Sequence, residues 1–267
     1  EDRKQLRPFI EEHVLSFEQI EHDAINHVIP KLVSHTDDTC ALKEDGGLLC
    51  WGYWTYAQSW GSELNSDSLG RRINDVLASD PPLRDAAVGE RHGCAVSHRY
   101  DGSQVYCWGT NDYGQLGQGP NGPAASARLL PVHLSNGSPL RISTESGEQD
   151  EVAAGDTGQL AVGAHHSCAI DPQGKLYCWG DNARLQVSPT SAEGERLQNT
   201  PQHILPDRTF TRVFAHGDTT CAQTRLDDPV RGGEYLCWGA DPGGVLTAAQ
   251  ERPVTAPIEV WPLRTVE

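Results

Sequence analysis

The chain has 267 residues, with 37 acidic against 21 basic side chains and a net charge of −16. So acidic a balance repels phosphate backbones, so nucleic acid is excluded as the expected partner. No apolar run approaches the roughly 20 residues that a membrane-spanning helix needs, so no direct membrane insertion is expected, and the length suits one large β domain or two smaller ones.

The first segment, residues 1–27, places Leu6, Phe9, Ile10, Val14, Phe17, Ile20 and Ile25 at three- and four-residue intervals among charges. That spacing predicts an amphipathic helix, broken or delayed near Pro8. It either packs on its own domain or docks a partner chain through Phe9 and Phe17. From residue 28 the chain repeats itself. Cys-Trp-Gly stands at Cys50-Trp51-Gly52, Cys107-Trp108-Gly109, Cys178-Trp179-Gly180 and Cys237-Trp238-Gly239. The tryptophans are separated by 57, 71 and 59 residues, which is the signature of one supersecondary unit used several times. Repeats are expected at about 28–75, 76–142, 143–208 and 209–246.

Within each repeat, a β-prone run such as Gly89-Glu90-Arg91-His92-Gly93-Cys94-Ala95 or Gly163-Ala164-His165-His166-Ser167-Cys168-Ala169 leads to a glycine-containing turn. The chain then climbs back through an apolar pair into Cys-Trp-Gly. Two short runs joined in this way read as a hairpin. All eight cysteines fall into the frame as Cys40/Cys50, Cys94/Cys107, Cys168/Cys178 and Cys221/Cys237. Each pair brackets one turn, so an antiparallel hairpin sets the two residues opposite one another, at a separation a disulfide accepts. Four intra-hairpin disulfides are predicted; free cysteines filling small core positions are the alternative. No Cys-x-x-Cys occurs, which argues against structural zinc. Disulfides imply an oxidising compartment: secreted, cell-surface or periplasmic. The absence of Met, an initiator included, reads as a processed product whose leader has been removed.

The longest segment between repeats, about Ser135 to Gly158, holds the acidic run Glu145-Ser146-Gly147-Glu148-Gln149-Asp150-Glu151 and is expected to be an exposed insertion loop. It has no calcium-loop spacing. The tail carries a β-prone run, Pro257 to Trp261, and similar runs, Leu130 to Leu134 and Pro201 to Leu205, precede the third and fourth repeats. The first repeat has no equally clear run upstream, so the tail is expected to supply a strand to the first blade and close a ring.

The pattern Gly-x-x-His-x-Cys-Ala, a turn, Tyr-Cys-Trp-Gly, and then Asn111-Asp112-Tyr113-Gly114-Gln115-Leu116-Gly117 resembles the regulator of chromosome condensation repeat. The resemblance covers about 220 residues and is similar to its secreted, cysteine-rich bacterial type. It implies an all-β fold, a β-propeller over residues 28–267 with an N-terminal helical extension. Family rings commonly have seven blades, and four repeats are visible here. A closed four-bladed ring, an open arc and a partial ring completed by another chain are all compatible. In the outer copies His35 and His216 replace the glycine that stands at Gly89 and Gly163.

No nucleophile elbow, no His-Glu-x-x-His and no phosphate-binding glycine loop is present, so no catalytic residue, metal or cofactor is assigned. His165 and His166 are adjacent and would face opposite sides of a strand, so they would not chelate together. His92 and His166 recur at one repeat position and are expected to be structural, as are Trp51, Trp108, Trp179 and Trp238. The loop after the first Cys-Trp-Gly carries Tyr53, Trp54, Tyr56 and Trp60, taken as aromatics without counterparts in the other copies. With Phe9 and Phe17 they are the expected partner-binding residues, since aromatics dominate interface hot spots. The expected function is a non-catalytic protein-interaction or assembly module, a subunit of a larger assembly included. A lectin or glycan-acting enzyme using Trp54, Trp60, Glu63 and Asp67 is one alternative. The resemblance also permits an inhibitor of an extracellular enzyme; the nucleotide-exchange activity of the eukaryotic founder does not suit an extracellular chain.

Overall fold

The computed structural model describes residues 31–35, 38–43, 46–52, 71–72, 82–97, 103–142, 158–190, 195–227, 232–240 and 254–260. Among them there is no helix; the expected N-terminal helix, with Phe9 and Phe17, lies outside the described residues. Strands form four antiparallel sheets in chain order, one per repeat. The first blade is β1 (Lys31–His35), β2 (Asp38–Leu42), β3 (Leu48–Gly52) and β4 (Arg71–Arg72). The second is β5 (Leu83–Val88), β6 (His92–Ser97), β7 (Ser103–Thr110) and β8 (Ala125–Pro131), with β9 (Arg141–Ile142) also paired to β7. The third is β10 (Leu160–Val162), β11 (His166–Ile170), β12 (Leu176–Asp181) and β13 (Leu197–Ile204). The fourth is β14 (Phe210–His216), β15 (Thr219–Thr224), β16 (Tyr235–Gly239) and β17 (Val254–Val260).

The hairpins fix the cysteines. Cys40 faces Cys50, Cys94 faces Cys107, Cys168 faces Cys178 and Cys221 faces Cys237 in the ladders. All four pairs are bonded, with Cα separations of 4.0–4.1 Å. No cysteine is left free.

The rest of the tripeptide has its own physical reasons. The glycine sits at positive φ in the last three copies, 103° at Gly109, 112° at Gly180 and 100° at Gly239. There the pairing with the outer strand slips by a bulge, a conformation that glycine adopts without steric cost. A Cβ on Gly109 would stand 2.6 Å from the carbonyl oxygen of Arg91, and one on Gly180 2.5 Å from that of His165. The close approach leaves room for one backbone bond per blade. Thr110 N–H donates to Arg91 (2.9 Å), Asp181 N–H to His165 (2.9 Å) and Ala240 N–H to Asp218 (2.8 Å). The first turn of each of these blades is thereby tied to the loop that follows Trp-Gly.

The tryptophan joins blades. Trp179 is fully buried with Leu116, Val132, Leu140 and Val162, between the second and third blades. Trp238 packs with Ile170, Leu176, Ile204 and Phe210, between the third and fourth, and Trp108 with Leu42, Leu48 and Leu83, between the first and second. Each Trp thus packs on the preceding blade. Trp179 Nε1 donates to the Gln115 carbonyl (2.8 Å) and Trp238 Nε1 to the Gln186 carbonyl (3.1 Å).

The recurrent histidines complete the same junctions. His92 Nε2 lies 2.9 Å from Ser167 Oγ, whose hydroxyl donates to the Gln115 carbonyl at 3.2 Å. His166 Nε2 lies 2.8 Å from Thr220 Oγ1, whose hydroxyl donates to the Gln186 carbonyl at 2.7 Å. A hydroxyl that gives its hydrogen to a carbonyl must accept from the ring, so each ring carries a proton on Nε2, and complete burial keeps both imidazoles neutral. These histidines are structural, and they bond to the next blade. Replacing Thr220 by Val keeps the shape and strands both partners. We expect a loss of about 2 kcal/mol, a fall of about 4–8 °C in Tm, read by thermal unfolding against the parent chain.

Three expectations need correction. The run near the C-terminus is β17, and it pairs with β16 of its own fourth blade; it does not supply the first blade, whose strands are all local. Likewise β8 and β13 close their own blades, so Leu130-Pro131 and Pro201 to Ile204 end the second and third repeats rather than opening the next ones. The supposed insertion loop is structured at its start: β9 pairs with β7, and Leu140 and Ile142 are buried. Its acidic run lies outside the described residues. Among the described residues no apolar cluster joins the fourth blade to the first. On their inner strands the rings of His35 and His216 stand 5.9 Å apart.

Candidate functional site at the end where the turns gather

The turns between the first two strands of the second, third and fourth blades gather at one end of the described residues. Glu90 N–H donates to the Ala164 carbonyl (3.3 Å) and Ala164 N–H to the Gly217 carbonyl (2.7 Å), linking the second, third and fourth blades in series. Gly89 and Gly163 permit this, since a Cβ on Gly163 would meet the His166 ring and the Gly217 carbonyl. The positions on either side differ in character. Those that recur, such as His92 and His166, point into blade junctions. Those that change from copy to copy, Arg91, His165 and Asp218, occupy one turn position and lie at the gathered end.

His165 is the centre of this end. Its ring lies against Tyr113 of the preceding blade, centroids 4.6 Å apart. Its Nε2 is 3.4 Å from Glu90 Oε2. Near it stand Asp181 and Asp218, and one ligand atom from each of the three residues lies within 4.8 Å of the others. The carboxylates are held in place. Gln186, fully buried, donates its amide to Asp181 Oδ2 (3.2 Å) and Asp218 Oδ1 (3.4 Å). Arg184 N–H fixes the Gln186 side-chain oxygen Oε1 at 2.7 Å, and Ala183 N–H donates to Asp181 Oδ1 at 3.0 Å. Burial, and next the Asp181 charge, hold the Asp218 carboxyl above the ordinary aspartate range. Burial and the neighbouring His216 hold the His35 imidazole below its ordinary value. The arrangement offers an acceptor-rich, partly exposed surface with one aromatic wall. It contains no nucleophile and base aligned for group transfer.

The expected partner-binding residues Tyr53, Trp54, Tyr56, Trp60, Phe9 and Phe17 all lie outside the described residues, as do Glu63 and Asp67. One expectation about them changes. Tyr56 stands five residues after Trp51, as Tyr113 stands five after Trp108, so Tyr56 has a counterpart, and the described counterpart belongs to this end. The eight disulfide cysteines are placed as expected. Glu90, His165, Asp181 and Asp218 were not singled out as a group; their signal was non-recurrence within a recurrent frame. A cleft of about 450 Å³ lies at the other end, lined by Phe210, Asp171 and Arg225 among others. There Arg225 is already paired with Asp227 at 2.9 Å.

The family model of the Regulator of chromosome condensation (RCC1) repeat matches residues 103–170, and a second model of that repeat matches 159–186. Ultraviolet-B receptor UVR8 of Arabidopsis thaliana is 30% identical over 217 residues, covering 76% of this chain and 44% of that protein. Protein pim1 of Schizosaccharomyces pombe is 29% identical over 217 residues, covering 63% and 38%. Among solved structures, human WBSCR16 superposes with a TM-score of 0.63 at 17% identity, over 88% of this chain and 53% of that one. Yeast RCC1 (Prp20), solved bound to Kap60, gives 0.61 at 18% identity, over 88% and 49%. The structural likenesses show the fold alone. The chain spans less than half the length of these curated relatives. A receptor and a protein caught in a complex are what such propellers furnish: regulators and interaction modules. From the matched repeats, the relatives and the four-stranded blades, this chain belongs to the regulator of chromosome condensation repeat family.

Proposed function

We propose that this chain is a non-catalytic protein-binding module of an oxidising compartment, engaging a partner protein through the end where its turns gather. The observation that carries the reading is the division of labour within the repeat. Recurrent residues are consumed by disulfides and blade junctions. The residues that vary, Glu90, His165, Asp181 and Asp218, converge with Tyr113 on one partly exposed surface, held by backbone bonds. Loops presented in this way are where propellers and other scaffolds place recognition. In the repeat register Tyr56 corresponds to Tyr113, each standing five residues after its Trp, which supports including the aromatic run 53–60 in this reading. Four disulfides support an extracellular, cell-surface or periplasmic setting, and the net charge of −16 argues against nucleic acid.

Replacing Trp54 and Trp60 together by Ala is the test. A hot-spot aromatic is worth about 2 kcal/mol or more, roughly thirtyfold in affinity. Against a partner isolated by co-purification from the native source, the double variant is expected to bind at least thirtyfold more weakly, with unchanged disulfides and Tm. Undiminished binding would remove this loop from the interface and leave Phe9 and Phe17 as the candidates.

A further inference from the structure

We propose that His165, Asp181 and Asp218, with Glu90 as a fourth ligand, form a binding site for one divalent transition cation of the zinc class. This assignment is independent of any protein partner. The three first-named residues come from three separate segments: the turn before β11, the end of β12 and the turn before β15. They bring one imidazole nitrogen and two carboxylate oxygens within 4.8 Å of one another, and Glu90 Oε2 is 3.4 Å from His165 Nε2. Zinc takes imidazole and carboxylate ligands at about 2.0–2.2 Å, so ligand atoms at this separation need only a small inward movement. His165 and Glu90 are free to make it, with side-chain exposures of 23% and 46%.

The support around the ligands is already in place. Gln186, fully buried, bridges one oxygen of each aspartate, and the Ala183 amide holds the second oxygen of Asp181. Tyr113 backs the His165 ring. Such outer contacts orient ligands at metal centres. The charge is unbalanced in the sense a cation would correct: among the described residues neither Asp181 nor Asp218 forms an ion pair. All eight cysteines are consumed in disulfides, so no thiol competes. One imidazole among carboxylates selects zinc, nickel or cobalt over magnesium and calcium. The repeat makes the site particular to the junction of the third and fourth blades. At the two positions His165 and Asp181 occupy, the second blade has Arg91 and Thr110.

The test is isothermal titration of the whole, chelator-treated chain with zinc chloride, with magnesium and calcium chlorides as controls and Tm measured alongside. We expect one equivalent of zinc to bind in the micromolar range and raise Tm, with no saturable binding of magnesium at the same concentrations. His165→Gln and, separately, Asp181→Asn should each weaken zinc binding by about 10- to 100-fold while leaving the metal-free Tm near that of the parent. Two variants are used so that a turn disturbed in one leaves the other readable; a variant with a lowered metal-free Tm is set aside in favour of the other, and Glu90→Gln, on an exposed side chain, stands behind both. Absence of saturable zinc binding below 1 mM overturns the proposal. So does zinc binding of parental strength in the variants, which would place the ion on other histidines of the chain.

Discussion

Full reduction of the disulfides is expected to unfold this protein. The four bridges close loops of 10, 13, 10 and 16 residues. On the loop-entropy model each stabilises by about 3 kcal/mol, and together by roughly 11 kcal/mol. Domains of this size are stable by only about 5–15 kcal/mol in all. The blades have little else to replace the bridges: each sheet has four or five strands of at most eight residues, and its core is shared across junctions rather than enclosed within a blade. A chain reduced in denaturant and returned to native buffer with reductant should therefore lose most of its cooperative thermal transition. The oxidised chain carried through the same steps should regain it. Removing one bridge, as Cys168→Ala with Cys178→Ala, should cost about 3 kcal/mol and lower Tm by roughly 6–12 °C. A fully reduced chain melting with the parent's Tm would show that the bridges are dispensable, and the argument for an oxidising compartment would go with it.

Acid is the second strong perturbation. His92 and His166 are completely buried, and burial pushes each imidazole down to about 3 from an ordinary 6.5. The unfolded chain takes up these protons near pH 6.5; the folded chain refuses them until near pH 3. Between those values the unfolded state binds more protons, so stability falls with every unit of acidification. At pH 5 each histidine costs about 2 kcal/mol relative to pH 8. The structural cause is visible: the proton would go to Nδ1, which in His166 is buried without an acceptor, while Nε2 is committed to Thr220. Urea unfolding at pH 8 and pH 5 should show a midpoint drop corresponding to about 4 kcal/mol, and His92→Gln with His166→Gln should flatten most of that slope. Equal stability of the parent at the two pH values would contradict the buried, neutral state of these rings.

The Cys-Trp-Gly repeat was enough to reveal the hairpins, the cysteine partners, the structural role of His92 and His166 and the burial of Trp108, Trp179 and Trp238. These features depend on register within about 20 residues, and alternation along a strand carries them. Strand ownership was not so legible. The runs around Leu130, Pro201 and Pro257 were recognisable as strands, yet assigned to the wrong blades, because a strand's sequence states its propensity and not its hydrogen-bond partner. The candidate site was hidden for a related reason. Asp181 and Asp218 lie 16 and 53 residues from His165, and no local motif links them. They meet because Gly180 lets the loop after Trp179 approach the turn of its own blade, and Gly163 lets that turn approach the turn of the fourth blade, each within backbone hydrogen-bond distance. The sequence by itself determined what each blade is made of; only the packing of blade on blade decided which of their variable residues share a surface, because that distance is set by tertiary contacts between segments far apart in the chain.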